Sequence, residues 1–141
     1  MSTTQAPRFW RCIPQRYSLI GTRCTTCGEY YFPPRNVCPN CRRGTHMEEY
    51  KFKGTGAVVT FTTIYTATED FDRQTPYNLA IIRLDEGPRL TGQIVSSADK
   101  VKIGMRVRPV FRILGKEGDR GIIYYGTKFV PVEEPNVDGP K

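Results

Sequence analysis

Four of the five cysteines in this 141-residue chain fall into two C-x2-C pairs separated by ten residues: Cys24 and Cys27, then Cys38 and Cys41. Each pair can close a tight knuckle that aims two sulfurs at one point. Two facing knuckles then make a tetrahedral four-thiolate metal site. Gly28 follows the first pair, where the knuckle backbone favours positive φ. Pro39 and Asn40 stiffen the turn inside the second pair. Four thiolates suit zinc, with iron as the second candidate. A zinc ion held by four thiolates has no open position for water or substrate, so the expected site is structural.

The rest of the composition agrees with a chain that needs such a staple. Apolar residues make up 38%, and the segment from Thr22 to Lys53 has few aliphatic side chains. Metal binding supplies folding free energy of roughly 10–16 kcal/mol in zinc-finger peptides, enough to hold a segment with little core. The segment Met1 to Cys12 has no apolar signal core, so a cytoplasmic location is expected, where paired cysteines favour metal over disulfide. No run approaches the ~20 apolar residues of a membrane helix.

Charge is unevenly spread. Residues 1–53 hold nine Lys/Arg against three acids, whereas residues 54–141 hold twelve against eleven. The net +7 therefore lies almost wholly in the N-terminal third. A basic face of this kind attracts nucleic acid, phosphorylated cofactors or an acidic protein surface, or simply keeps the chain soluble.

Periodicity divides the chain into an N-terminal helical arm (residues 1–21), a cysteine module (22–53), a strand-rich domain (54–132) and a tail (133–141). In the arm, Phe9, Trp10, Ile13, Tyr17 and Ile20 recur at helical spacing, and Pro14 predicts two short helices rather than one. Arg8, Arg11 and Arg16 interleave with Phe9, Trp10 and Tyr17. Such residues either pack the arm on its own domain or anchor a partner. Five strands are expected: Ala57–Thr66, Tyr77–Leu84, Arg89–Val95, Met105–Leu114 and Gly121–Val130. One helical turn fits between the third and fourth, and Pro109 calls for an edge or a bulge. Five short strands with a longer connection before the fourth match an OB-like Greek-key barrel or another small barrel. The tail, with its Pro, Gly and acidic residues, is expected to be disordered. The polar loop Thr66–Thr75 is a candidate contact loop.

No catalytic constellation emerges. The chain has one histidine, His46, which reads as a solvated loop residue. Cys12, the odd thiol, reads as a small buried apolar residue. Single-stranded nucleic acid is the alternative ligand for an OB barrel, with Phe61, Tyr65, Phe71, Tyr77, Tyr124 and Tyr125 as stacking candidates. The near-neutral charge of residues 54–141 weakens that alternative. Tyr124 and Tyr125, as strand neighbours, are expected to point to opposite faces with one in the core.

The residues Trp10, Leu19-Ile20-Gly21-Thr22-Arg23-Cys24, Cys27-Gly28, Phe32-Pro33-Pro34-Arg35 and Cys38-Pro39-Asn40-Cys41 carry a resemblance. So do Gly54-Thr55-Gly56, Pro76-Tyr77, Leu84-Asp85-Glu86-Gly87-Pro88-Arg89 and Ile103-Gly104-Met105-Arg106-Val107. Over about residues 8–130 the chain resembles the two-domain family of a rubredoxin-like zinc ribbon followed by an OB fold, catalogued as domain of unknown function thirty-five. The resemblance implies a mainly β protein with an acyl-CoA role. The resemblance is to the archaeal type, which implies a non-catalytic scaffold bridging acetoacetyl-CoA thiolase and hydroxymethylglutaryl-CoA synthase. In that setting acetoacetyl-CoA passes between the two enzymes early in the mevalonate pathway of isoprenoid biosynthesis. Arg8, Phe9, Trp10, Arg11, Arg16 and Tyr17 would then dock a partner or face a CoA phosphate, for which arginine's forked donors are suited.

Overall fold

Each expected strand segment forms, and the burial rhythm shows why. The computed structural model describes residues 6–42, 46–67, 74–116 and 119–132. The proposed tail lies outside these residues, as do positions 68–73 of the candidate contact loop. Two short helices, α1 (Ala6–Arg11) and α2 (Ile13–Ser18), come first. The break falls at Cys12, and Pro14 sits in the first turn of α2, where a missing N–H costs nothing. Cys12 is half-buried between them rather than a core residue.

Three strands make the ribbon: β1 (Ile20–Cys24), β2 (Tyr30–Tyr31) and β3 (Met47–Lys51), in the order β2-β1-β3. Five more close a barrel in the order β4-β5-β6-β8-β7, the strand order of an OB fold. They are β4 (Gly56–Ile64), β5 (Tyr77–Leu84), β6 (Arg89–Ile94), β7 (Arg106–Lys116) and β8 (Ile123–Pro131). A single 3₁₀ turn, Ala98–Lys100, fills the connection before β7. Along β5, Asn78, Ala80, Ile82 and Leu84 are buried and alternate with more exposed neighbours. The period of two sends one face of the strand into the barrel. Among the described residues no helix is long and apolar enough to cross a membrane.

Ribbon and barrel share one core. Leu19 and Phe52 from the ribbon side pack with Val58, Ala80, Ile82, Leu84, Ile94, Val101, Val107 and Phe129. Close packing at this core excludes a side chain at Gly92, where an added Cβ would lie 2.6 Å from the Phe129 ring. At the junction Gly54 takes φ +81 and lies under Leu19 and Pro109. Pro109 sits in mid-β7, opposite Phe129 of β8. It is tolerated because β4 pairs with β7 only at Val107 and Arg106, which leaves an effective edge from there on.

Tyr124 and Tyr125 depart from expectation. Both are half-buried, and neither enters the core. Tyr124 packs on Phe9 with ring centroids 4.8 Å apart, and Tyr125 stacks on Phe111 at 5.3 Å. The arm and the facing strand claim them, an outcome that strand alternation alone does not encode.

The barrel seam carries one charged clamp. Arg106, which pairs with Ala57 where β7 meets β4, donates two bonds to Asp85 at 2.6 and 2.8 Å. The Thr55 hydroxyl donates a third at 2.7 Å. These donors, Arg106 first, hold the Asp85 carboxyl at about 2, below its ordinary 3.8. A carboxyl depressed on folding stabilises the native state fully above its unfolded pKa and loses that contribution as pH falls through the folded value. Both partners are close to half exposed, so solvent screening limits the effect. Asp85→Asn is expected to cost about 0.5–1 kcal/mol at neutral pH in urea unfolding, and the difference from wild type should vanish as pH falls from about 4 to about 2.

Candidate metal centre

The two C-x2-C knuckles close on one another. The sulfurs of Cys24, Cys27, Cys38 and Cys41 all lie within 4.8 Å of each other. Cys27 and Cys38 sulfurs are 3.5 Å apart, and those of Cys24 and Cys41 are 3.9 Å apart. With Zn–S near ~2.3 Å the edge of a regular tetrahedron is about 3.8 Å, so the spacing fits one ion at the centre. A disulfide needs sulfurs about 2.05 Å apart, and all five cysteines are free.

Local backbone geometry explains the convergence. In the first knuckle the Gly28 N–H donates to the Cys24 carbonyl at 2.8 Å, and Gly28 takes φ +78. In the second, the Arg42 N–H donates to the Cys38 carbonyl at 2.9 Å, and Arg42 takes φ +53. The two knuckles thus have the same shape, although only the first carries the glycine that suits it. Each turns backbone N–H groups onto its leading sulfur: those of Cys27 and Thr26 onto Cys24, and those of Cys41 and Asn40 onto Cys38. Donors aimed at sulfur favour thiolate.

Without an ion the four thiols cannot all ionise. The Tyr31 hydroxyl, 3.3 Å from the Cys38 sulfur, leads the groups that pull Cys38 down to about 6. The same contact raises Tyr31. N–H bonding led by Cys27 lowers Cys24, while burial pushes Cys41 up to about 12. Four negative sulfurs, two of them fully buried, need a cation at their centre. The donor set and spacing fit a divalent, thiophilic ion. Tyr31 was not anticipated from sequence. Its position in Glu29-Tyr30-Tyr31-Phe32 carries no signal of the sulfur it touches. His46 is exposed, and its carbonyl accepts from the Thr25 N–H at 3.0 Å and from the Thr25 hydroxyl at 3.2 Å.

The arm residues split into two sets. Phe9 is 5% exposed, packed on Tyr124 and Tyr17, with the Arg16 guanidinium 4.9 Å above its ring. Tyr17 meets the Phe111 ring edge-on at 5.1 Å. The Thr127 hydroxyl of β8 donates to the Arg16 carbonyl at 2.9 Å. Phe9, Arg16 and Tyr17 therefore bind the arm to its own barrel. Trp10, by contrast, is 66% exposed, and Arg8 and Arg11 are exposed beside it. Four of the stacking candidates for nucleic acid form no platform with one another among the described residues. Phe61 packs against the core, Tyr124 and Tyr125 lie under the arm or against Phe111, and Tyr65 is exposed without a described ring beside it. Phe71 lies outside the described residues.

Comparison with known proteins places these features. Residues 13–46 match the model "ChsH2, rubredoxin-like zinc ribbon domain", and residues 49–112 match "ChsH2, C-terminal OB-fold domain". A DUF35 domain-containing scaffold protein of Methanocaldococcus jannaschii is 52% identical over 127 residues, covering 89% of this chain and 90% of that one. A probable enoyl-CoA hydratase alpha subunit of Thermomonospora curvata is 31% identical over 100 residues, 70% of this chain but 31% of the relative. The solved Ltp2-ChsH2(DUF35) aldolase superposes with a TM-score of 0.65 at 27% identity, covering 93% of this chain and 96% of that one.

Removing the Tyr31 hydroxyl takes away a donor to a ligand sulfur, and lost supports of this kind typically cost 10–100-fold in metal affinity. Tyr31→Phe is expected to release metal to a competing chelator at roughly tenfold lower chelator concentration than wild type. Cys38→Ser should bind less than about a tenth of an equivalent by elemental analysis and unfold the ribbon.

Proposed function

The chain belongs to the ChsH2-type (DUF35) family of rubredoxin-like zinc ribbons joined to OB-fold domains, and from that premise we propose that it is a non-catalytic scaffold for acyl-CoA enzymes. The finer assignment is a bridge between acetoacetyl-CoA thiolase and hydroxymethylglutaryl-CoA synthase, holding them so that acetoacetyl-CoA passes from one to the other. The ion is zinc, and it is structural. Four protein thiolates complete a tetrahedral shell, so the metal supplies rigidity and no open position for substrate.

The observation that carries this proposal is the division of the arm. Phe9, Arg16 and Tyr17 fasten it to the barrel, and Arg8, Trp10 and Arg11 are left facing outward. Aromatic and Arg side chains are the usual anchors of protein interfaces, and they gain affinity when the backbone carrying them is already ordered. The scaffold name of the Methanocaldococcus relative and the complexed ChsH2 neighbour support the same role. Joining two enzymes has a physical motive here. Thiolase condensation is unfavourable on its own, and an adjacent irreversible step draws it forward. The forked donors of Arg8 and Arg11 suit carboxylates of the enzyme and the phosphates of CoA alike.

A tagged copy drawn gently from its own cells should bring thiolase and synthase with it, identified by mass. Recovery of the chain alone would count decisively against the scaffold. Trp10→Ser combined with Arg8→Glu and Arg11→Glu should release the enzymes while metal content stays near one equivalent, since none of the three side chains packs in the core. Undiminished capture by this variant would remove the arm from the interface.

A further inference from the structure

The apolar alternation of β7 runs past the barrel that it helps to build. Val107, Pro109, Phe111 and Ile113 share one face of the strand, with Phe129, Thr127 and Tyr125 opposite them on β8. Val107 is fully buried, and Pro109 is half-buried against Gly54. Phe111 and Ile113 continue the same phase but are each 50% exposed.

The pairing explains the change. β4 meets β7 only at Val107 and Arg106, and β6 meets β8 only at Phe129. Beyond those positions the β7–β8 hairpin has no sheet neighbour among the described residues. Its apolar face carries Phe111 and Tyr125, stacked at 5.3 Å with 4° between ring planes, together with Ile113 and exposed Ile123. The arm covers this face only in part, through Tyr17 against Phe111 and through Thr127. A two-stranded ribbon with an open apolar face gains stability by burying it, and contiguous exposed apolar groups of this kind mark interaction surfaces.

Charge selects the partner. Lys116, which pairs with Ile123 on this face, and Arg120 are exposed on the hairpin, and Arg8 and Arg11 are exposed on the arm, whereas Arg108 and Arg112 alternate to the other face of β7. Asp119 is the only acid among the described residues of arm and hairpin. A second copy of this chain would set this cationic rim against itself, a repulsive arrangement. Nucleic acid would meet a stacked ring pair and isoleucines, which offer no free slot for a base.

We infer that this hairpin face, with Phe111 and Ile113 at its centre, docks an acyl-CoA enzyme subunit whose own contact surface is apolar in the middle and carries carboxylates at the rim. The inference rests on the scaffold role proposed above and adds a second contact element, separate from Trp10.

The test uses the full chain and the acyl-CoA enzyme that the tagged chain captures, identified by mass and then purified. Binding is titrated for wild type, for the double variant Phe111→Ser/Ile113→Ser, for Ile123→Ser, and for Ile103→Ser as a control. Ile103 is 69% exposed and lies before the opposite end of β7. The double variant is expected to bind at least about tenfold more weakly, as loss of central interface anchors does. Ile123→Ser should bind severalfold more weakly and Ile103→Ser like wild type, and added salt should weaken wild-type binding. Metal content and circular dichroism report folding. If the double variant fails to fold, Ile123→Ser, which alters one exposed side chain, gives the answer. Capture of no acyl-CoA enzyme by wild type overturns the scaffold proposal itself. Capture with equal affinity for wild type and the hairpin variants overturns only the hairpin inference. A wild-type homodimer split by the same substitutions, or oligonucleotide retained on this face at low salt, also overturns it.

Discussion

Four sulfurs meeting at one point set the shape of the front third of the molecule. The ribbon sheet alone is slight: β2 has two residues, and β3 (Met47–Lys51) has no fully buried side chain. What is fully buried there is sulfur, at Cys24 and Cys38. Ribbon rigidity therefore rests on the four clustered thiols and the ion they are suited to hold, supported by N–H groups of the knuckles and the Tyr31 hydroxyl. That rigidity is passed on. β1 leads back to Leu19 and β3 leads forward to Phe52, and both enter the core of the barrel. A row of edge-to-face aromatic contacts from Tyr30 through Tyr50 to Phe52 fills the space between knuckle and barrel.

The barrel is closed, but unevenly. Its β4–β5 and β5–β6 pairings run along most of each strand, while the β4–β7 and β6–β8 seams rest on two pairs and one. Past these short seams β7 and β8 pair only with each other among the described residues. The N-terminal arm then lies against that hairpin through Phe9, Tyr17 and the Arg16 carbonyl. Metal, barrel and hairpin thus jointly place Arg8, Trp10 and Arg11 on an ordered support. An ordered anchor loses less entropy on binding than a free one.

Much of this was legible beforehand. The cysteine spacing specified one ion, and Gly28 marked the first knuckle turn. Five runs of β-branched and aromatic residues marked five strands, and Tyr77–Leu84 forms with the expected bounds. Pro14 marked the break between helices. Other features left no trace. Arg42 takes positive φ without the usual glycine where its N–H closes the second knuckle on the Cys38 carbonyl. Lys128, on a residue type that is normally solvated, is buried, and its Nζ donates to Gln74 at 2.8 Å. Burial, with Arg112 nearby, lowers its pKa. That environment is created by a segment far away in sequence.

Local chemistry determined which elements form and what holds the ribbon, because knuckle turns, β-branched runs and helix breaks depend on residues within a few positions of one another. Only the tertiary structure decided which faces of those elements remain open. The same alternation that buries Val107 leaves Phe111 and Ile113 exposed, and the same helical spacing that buries Phe9 leaves Trp10 outside. Exposure depends on where a seam ends and what packs across it, and those contacts join positions more than a hundred residues apart, such as Arg16 and Thr127.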